Sequence, residues 1–239
     1  MASKTSRRNF LRAAGIGAAA TTALGSTASA SAAGPTAGSK TIKILAISGS
    51  PRKGKTTAAA LTLALEAAKA VDPERIETEL IELASLKLNG DMAAGIPLEA
   101  GQQDDFPEVA AKVTQANVAG IIIGSPVYLR NVSSLCKAFL DRAASFRARG
   151  MLLSNKVGGA LAVGGMRNGG QELTLEAIHS AMFCQEMVLV GDARPTAHAG
   201  ASLWNNGKDD ISQDEVGIAA AKNLGRRVAE VALKMAGGK

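Results

Sequence analysis

The sequence predicts an α/β domain built on a doubly wound five-stranded parallel sheet with helices on both faces. Two observations carry this. Apolar runs of strand length alternate with longer segments of helical period along most of the chain. The most apolar of these runs, GIIIGS, lacks the polar alternation of a half-exposed strand and suits a position buried on both faces. At 239 residues and 46% hydrophobic content the chain can bury a sizeable core, and it shows neither an internal repeat nor a second domain.

TIKILAISGS, from Thr41, is the first strand, and Thr56 to Ala70 the first helix. RIETELIEL, with apolar residues at Ile76 and Leu80, is the second strand, and a polar connection over 84–105 leads to a helix from Phe106 to Asn117. GIIIGS is the third strand. Val132, Leu135, Cys136, Phe139, Leu140 and Ala143 then recur at helical spacing and make one apolar stripe. VGGALAVGG is the fourth strand, Gln171 to Phe183 the fourth helix and MVLVG the fifth strand. After a loop of some twenty residues, Val216, Ala220, Leu224, Val228 and Val231 mark the apolar face of the last helix.

The N-terminus reads differently. SRRNFLR (6–12), a weakly apolar Ala- and Gly-rich stretch and Ala28-Ser29-Ala30 form the pattern of a twin-arginine export signal. The expected organisation is a signal peptide over 1–30, a flexible leader over 31–40 and one domain over 41–239, exported to the periplasm or the cell exterior. The apolar run is too short and too rich in Gly and Thr for a stable membrane span. Twin-arginine export carries folded proteins, often around a cofactor, so a bound cofactor is expected. The signal holds Lys4, Arg7, Arg8 and Arg12 and no acid, so the net charge of +6 falls to +2 beyond residue 30 (23 basic minus 21 acidic). A nucleic-acid partner therefore loses its electrostatic support. The two cysteines, Cys136 and Cys184, lack metal-ligand spacing, and a single disulfide between them stays open.

In doubly wound sheets the ligand sits beyond the C-terminal strand ends, so the loops after strands one, three and four are the candidate site. The first contains GSPRKGKT (49–56), which satisfies the triphosphate-loop pattern in letters. Pro51 removes a backbone donor from that cradle, and strand three ends GIIIGSPVY without the Asp that would hold magnesium. A monophosphate suits the loop better: Ser50, Thr56 and Thr57 bring hydroxyls, Arg52 a guanidinium, and the helix its dipole. Lys55 either touches the phosphate or points to water. The second loop, SPVYLRN (125–131), carries the only tyrosine of the chain, Tyr128, placed to edge a ring. The third, GGMRNGGQE (164–172), has four glycines around a polar centre that let backbone approach a flat ligand.

Taken together, SGSPRKGKTT, SPVYLRNVSSLCKAFLDR and GGMRNGGQELTL resemble the flavodoxin-like NADPH-dependent FMN reductase and iron-sulfur flavoprotein group over roughly residues 42–190. The resemblance implies strand order 2-1-3-4-5, a non-covalent FMN, and dimers or tetramers. It implies that Ser50, Arg52, Thr56 and Thr57 bind phosphate, that Pro126, Val127 and Tyr128 flank the ring with Asn131 beside them, and that Gly164, Gly165 and Gly169 approach the flavin. Relatives often carry Asn at the place of Thr56 and a smaller residue at that of Arg130. The iron-sulfur members carry a cysteine cluster between strand two and helix two, where this chain has none; no cluster is expected.

The expected function is an FMN-dependent oxidoreductase, with small-molecule donor and acceptor, in which the flavin and no side chain performs the chemistry. NAD(P)H is the donor the resemblance implies; export points instead to a quinol or a partner protein. The alternatives are a flavodoxin-like electron carrier and, behind it, a nucleotide-binding protein. Cys136, Cys184 and His179 are expected to pack, His198 to be a solvated loop residue, Trp204 to anchor its loop or cover a neighbouring flavin, and the pairs Asp104–Asp105 and Asp209–Asp210 to be solvated.

Overall fold

The computed structural model describes residues 41–237. The expected export signal and leader lie outside the described residues. Five parallel strands form β1 (Ile42–Ser48), β2 (Ile76–Glu82), β3 (Val118–Pro126), β4 (Val157–Gly164) and β5 (Val188–Leu189), in the order β2-β1-β3-β4-β5. The helices are α1 (Thr56–Lys69), α2 (Phe106–Val113), α3 (Ser134–Arg142), α4 (Ala144–Ala148), α5 (Gln171–Phe183) and α6 (Glu215–Ala236).

Strand periodicity divides the core. Ile42, Ile44 and Ala46 of β1 face Leu61 and Leu65 of α1 and Leu224 and Val228 of α6. Leu45 and Ile47 point the other way, toward Phe106, Phe139 and Phe146. Helices therefore cover both faces, and β1 and β3 run through the middle as nearly continuous buried runs.

The fifth strand differs from its expectation. Only Val188 and Leu189 pair with β4, at Val157 and Gly158. The chain then leaves the sheet, and Ala201–Trp204 returns as β6 to pair with Leu161–Gly164 on the same edge of β4. Asp192 explains the detour: its carboxylate, fully buried, accepts the backbone N–H of His198 and lies 3.3 Å from that residue's Nδ1. This closes the excursion into a compact loop that re-enters the edge, so Trp204 is a strand residue and not a loop anchor. Asp214 then joins β6 to α6, accepting from Trp204 N at 2.9 Å and, as N-cap, from Gly217 N at 3.0 Å.

Smaller departures have local causes. Val132 precedes the helix it was assigned to, because Ser133 caps α3. The second helix ends at Val113, short of Asn117. Val216, in the first turn of α6, is 57% exposed. Within the polar connection Gly90–Ala94 form a short 3-10 turn capped by Asn89.

Candidate functional site

The order β2-β1-β3 places the switch point of the sheet beyond the ends of β1 and β3, where the first two loops meet. Gly49 fixes the start of the first loop. Its N–H donates to Gly124 O at 2.7 Å and its carbonyl accepts from Ser133 Oγ at 2.5 Å. A side chain at Gly49 would come within 2.5 Å of Cys136 Cβ, so only glycine fits against α3. Ser133 also receives Cys136 N, and its own N–H donates to Ser125 Oγ. Cys136 is thus packing, as expected, and burial pushes its thiol up to about 12.

Ser50, Thr56 and Thr57 are buried at 3%, 6% and 1% exposure, whereas the side chains of Arg52 and Lys55 are half exposed at 49% and 48%. Ser50 Oγ closes a tight turn with Arg52, accepting its N–H at 3.1 Å. Lys55 is the N-cap of α1 in extended conformation and supplies no side-chain cap. The first-turn amides of α1 are therefore left to an anion beside hydroxyls and two cations, a donor set that fits a phosphate monoester.

The second loop is tighter than its sequence suggests. Tyr128 and Asn131 exchange backbone hydrogen bonds of 2.9 and 3.0 Å around Leu129 and Arg130, which sit at φ 48° and 65°. Two positive φ values make this a two-residue hairpin turn of the kind that favours Asn-Gly. Leu129 is fully exposed and Tyr128 46% exposed at the tip, while Val127 is anchored by its N–H to Val163 O at 2.9 Å. Pro126 closes β3, and the Asn131 side chain accepts from Val132 N at 2.8 Å.

The third loop packs on the second. Gly170 has φ 110°, and a Cβ there would come within 2.6 Å of Arg130 Cα. Buried Gln171 donates to Met166 O at 2.7 Å and Leu203 O at 3.2 Å, fastening the loop to β6. The predicted glycines divide by cause. A Cβ at Gly164 would lie 2.5 Å from the end of the Gln171 side chain and one at Gly169 3.0 Å from the Met166 carbonyl, whereas a side chain at Gly165 would meet nothing within 4 Å. Beside this loop a cavity of about 920 Å³ opens toward β6 and α6, walled in part by Arg130, Arg167, His198 and Trp204. The Arg167 guanidinium lies 4.7 Å from the Trp204 ring. The phosphate loop lies outside that cavity.

Of the aspartates expected to be solvated, Asp209 and Asp210 are exposed and Asp104 is not, and each has partners. Asp209 is exposed, as expected, but paired: it takes Arg52 bidentately at 2.9 and 2.7 Å and lies 3.6 Å from Lys55 Nζ. The Arg52 hydrogen bonds hold its carboxyl below the usual range. Asp104 is buried against Arg142, with two hydrogen bonds of 2.9 and 2.8 Å, and that guanidinium covers the Phe106 ring at 4.4 Å. Asp105 accepts from Lys87 N at 2.7 Å, and Asp210 from Ser212. His198 pairs with buried Asp192 while its ring stays exposed. Cys184 is exposed at the end of α5 beside Phe183, itself 66% exposed, where packing was expected; both cysteines are free. His179 is partly buried, and desolvation lowers its pKa against the pull of Glu176.

Sequence reasoning missed Ser133, Gly170, Gln171 and Asp209. Ser133 carried a signal, a serine directly before a helical apolar stripe. Asp209 carried none, because its partners lie some 150 residues away.

An open parallel sheet in this order, with a phosphate-type loop after its first strand, defines the flavodoxin-like class of flavin-binding folds. Residues 42–201 match the model of the NADPH-dependent FMN reductase family, and the chain belongs to that family. It is an FMN-dependent oxidoreductase. An iron-sulfur flavoprotein of Methanocaldococcus jannaschii is 44% identical over 194 residues, covering 80% of this chain and 97% of that protein. An NAD(P)H dehydrogenase (quinone) of Acidithiobacillus ferrooxidans is 31% identical over 134 residues, covering 51% and 66%. The apo crystal structure of an NADH:FMN oxidoreductase, EMOB, superposes with a TM-score of 0.54 at 23% identity, covering 81% of this chain and 90% of that one. An iron-sulfur cluster does not fit the residues present. Cys136 is enclosed in the core, Cys184 is exposed on another helix, and no group of three or more His, Cys, Asp or Glu suited to a metal occurs among the described residues.

Proposed function

We propose that this chain is an exported flavoenzyme that holds FMN by its phosphate at the first loop and passes electrons between a donor and a small-molecule acceptor without an iron-sulfur cluster. The uncapped first turn of α1, set among buried Ser50, Thr56 and Thr57 with Arg52 and Lys55 at its rim, is the observation that carries the reading. Bound FMN supplies hydride and electron transfer. Ser50, Thr56 and Thr57 bind the phosphate by hydroxyl and amide donors, and Arg52 and Lys55 balance its charge. Pro126, Val127, Tyr128 and Asn131 flank the ring on one side. The backbone of Gly164, Gly165 and Gly169 lies toward its polar edge, with Gly165 leaving the clearest approach.

Acceptors of the quinone or free-flavin class suit a site whose neighbouring cavity is walled by Trp204 and two arginines. The family's usual donor is NADPH. The twin-arginine pattern at Arg7 and Arg8 favours a quinol or partner-protein donor instead, since nicotinamide cofactors are confined to the cytoplasm. The working unit is a homo-oligomer, a dimer or tetramer. Steady-state assays of the mature chain test this: NADPH oxidation is expected to be slow and reduction by a quinol faster. Rapid NADPH turnover together with cytoplasmic residence on fractionation would overturn the exported reading.

A further inference from the structure

Asp209 belongs to the segment between β6 and α6, 157 positions from Arg52, yet it takes both terminal nitrogens of that guanidinium at 2.7 and 2.9 Å. This fork-to-fork pairing is the geometry in which arginine takes two oxygens of a phosphate. Lys55 stands 3.6 Å from the same carboxylate. A second tie holds the segment down, Asn205 Nδ2 to Thr56 Oγ1 at 3.4 Å. Glu82 adds a further carboxylate to the loop by accepting Gly54 N at 2.7 Å. Arg52 and Lys55 thus already face an internal anion, while the first turn of α1 beneath them has no side-chain cap.

We propose that Asp209 is an internal counter-anion of the phosphate loop that competes with the flavin phosphate for Arg52 and Lys55 and so determines how strongly the site prefers phosphorylated over unphosphorylated flavin. The proposal rests on the reading of this loop as the FMN phosphate anchor. Two physical effects set its size. An exposed ion pair is weak, so its displacement costs little, and a fixed carboxylate near an incoming dianion repels it at longer range. Together they weaken phosphate binding by about three- to thirty-fold relative to a neutral side chain. Riboflavin, which lacks the phosphate, is indifferent to both.

The test is a fluorescence titration of full-length protein with FMN, riboflavin and inorganic phosphate, comparing the parent chain with Asp209→Asn and Arg52→Gln. Asparagine preserves shape and tolerates the φ of 55° at this position, so the loop keeps its course. FMN and inorganic phosphate are expected to bind Asp209→Asn about three- to thirty-fold more tightly, with riboflavin unchanged. Unchanged or weaker FMN binding in Asp209→Asn would overturn the proposal and make Asp209 a mere orienter of Arg52. Arg52→Gln separates the two levels. If it weakens FMN but not riboflavin, the phosphate reading stands whatever Asp209 does. If the parent chain and Arg52→Gln do not distinguish FMN from riboflavin, the phosphate reading itself fails and the proposal with it.

Discussion

Ser133 holds the site together through one hydroxyl, which donates to Gly49 O and accepts Cys136 N while its own amide reaches Ser125. Ser133→Ala removes a helix cap and leaves a buried carbonyl unpaired. We expect a loss of about 1–3 kcal/mol in unfolding free energy, measured by urea denaturation, and weaker flavin binding because the first loop loses its tether to α3. Lys156 offers a pH-dependent counterpart far from the site. Its ammonium is buried and donates to Val118 O at 2.5 Å and Gln115 O at 3.2 Å, and desolvation lowers its pKa from 10.5 to about 8. The folded state therefore releases this proton before the unfolded chain does, so the unfolded chain binds more protons between those two values. Stability contributed by this group rises as pH rises from about 8 toward 10.5, by an amount on the order of 3 kcal/mol. Lys156→Met should flatten that rise in denaturation curves collected across the interval; an equal slope in both proteins would refute the assignment.

At the scale of elements, the turn after β3 and the tie between the 84–105 connection and α3 are the informative cases. Leu129 and Arg130 both adopt positive φ without being glycine or asparagine, a conformation that costs of order 1–3 kcal/mol per residue. Replacing the pair by Asn-Gly should raise the melting temperature and, because Gly170 packs on Arg130, alter flavin binding; a lowered melting temperature would refute this. Asp104 and Arg142 form a largely buried bidentate pair, so Asp104→Ala should cost about 1–3 kcal/mol by leaving the guanidinium without its hydrogen-bond partner. The Arg142 hydrogen bonds hold the Asp104 pKa below its usual value, so this contribution is present at neutral pH and is lost as pH falls through that lowered pKa. The sequence announced these elements unevenly. Strands one, three and four were legible because long apolar runs ended in Gly, Ser and Pro. β6 was not, because four residues carry too little periodicity, and Asp104 read as solvated because the arginine that buries it lies 38 positions on.

For the whole molecule, the arrangement brings three distant loops to one end of the sheet and joins them by specific contacts. Ser133 links the first loop to the second, Gly170 the third to the second, and Asp209 returns the chain after β6 to the first. The glycine-rich string 49–56, a triphosphate motif in letters, opens a helix whose uncapped first turn sits among hydroxyls and lacks a magnesium-holding Asp after β3. Residue types predicted these three loops; the contacts between them depend on tertiary placement and left no local mark. Iron and acid-labile sulfide assays of the purified protein are expected to find neither, against the name of the Methanocaldococcus relative. Stoichiometric iron and sulfide would contradict the reading of the two cysteines.

FMN held by its phosphate at the first loop is the proposal on which the other functional predictions depend. The direct measurement is the visible spectrum of the purified protein, as isolated and after addition of FMN, followed by chromatography of the flavin released on denaturation. Flavin bands and close to one FMN per chain are expected. A colourless protein that takes up no FMN, or one that releases unphosphorylated flavin as readily, would contradict the proposal.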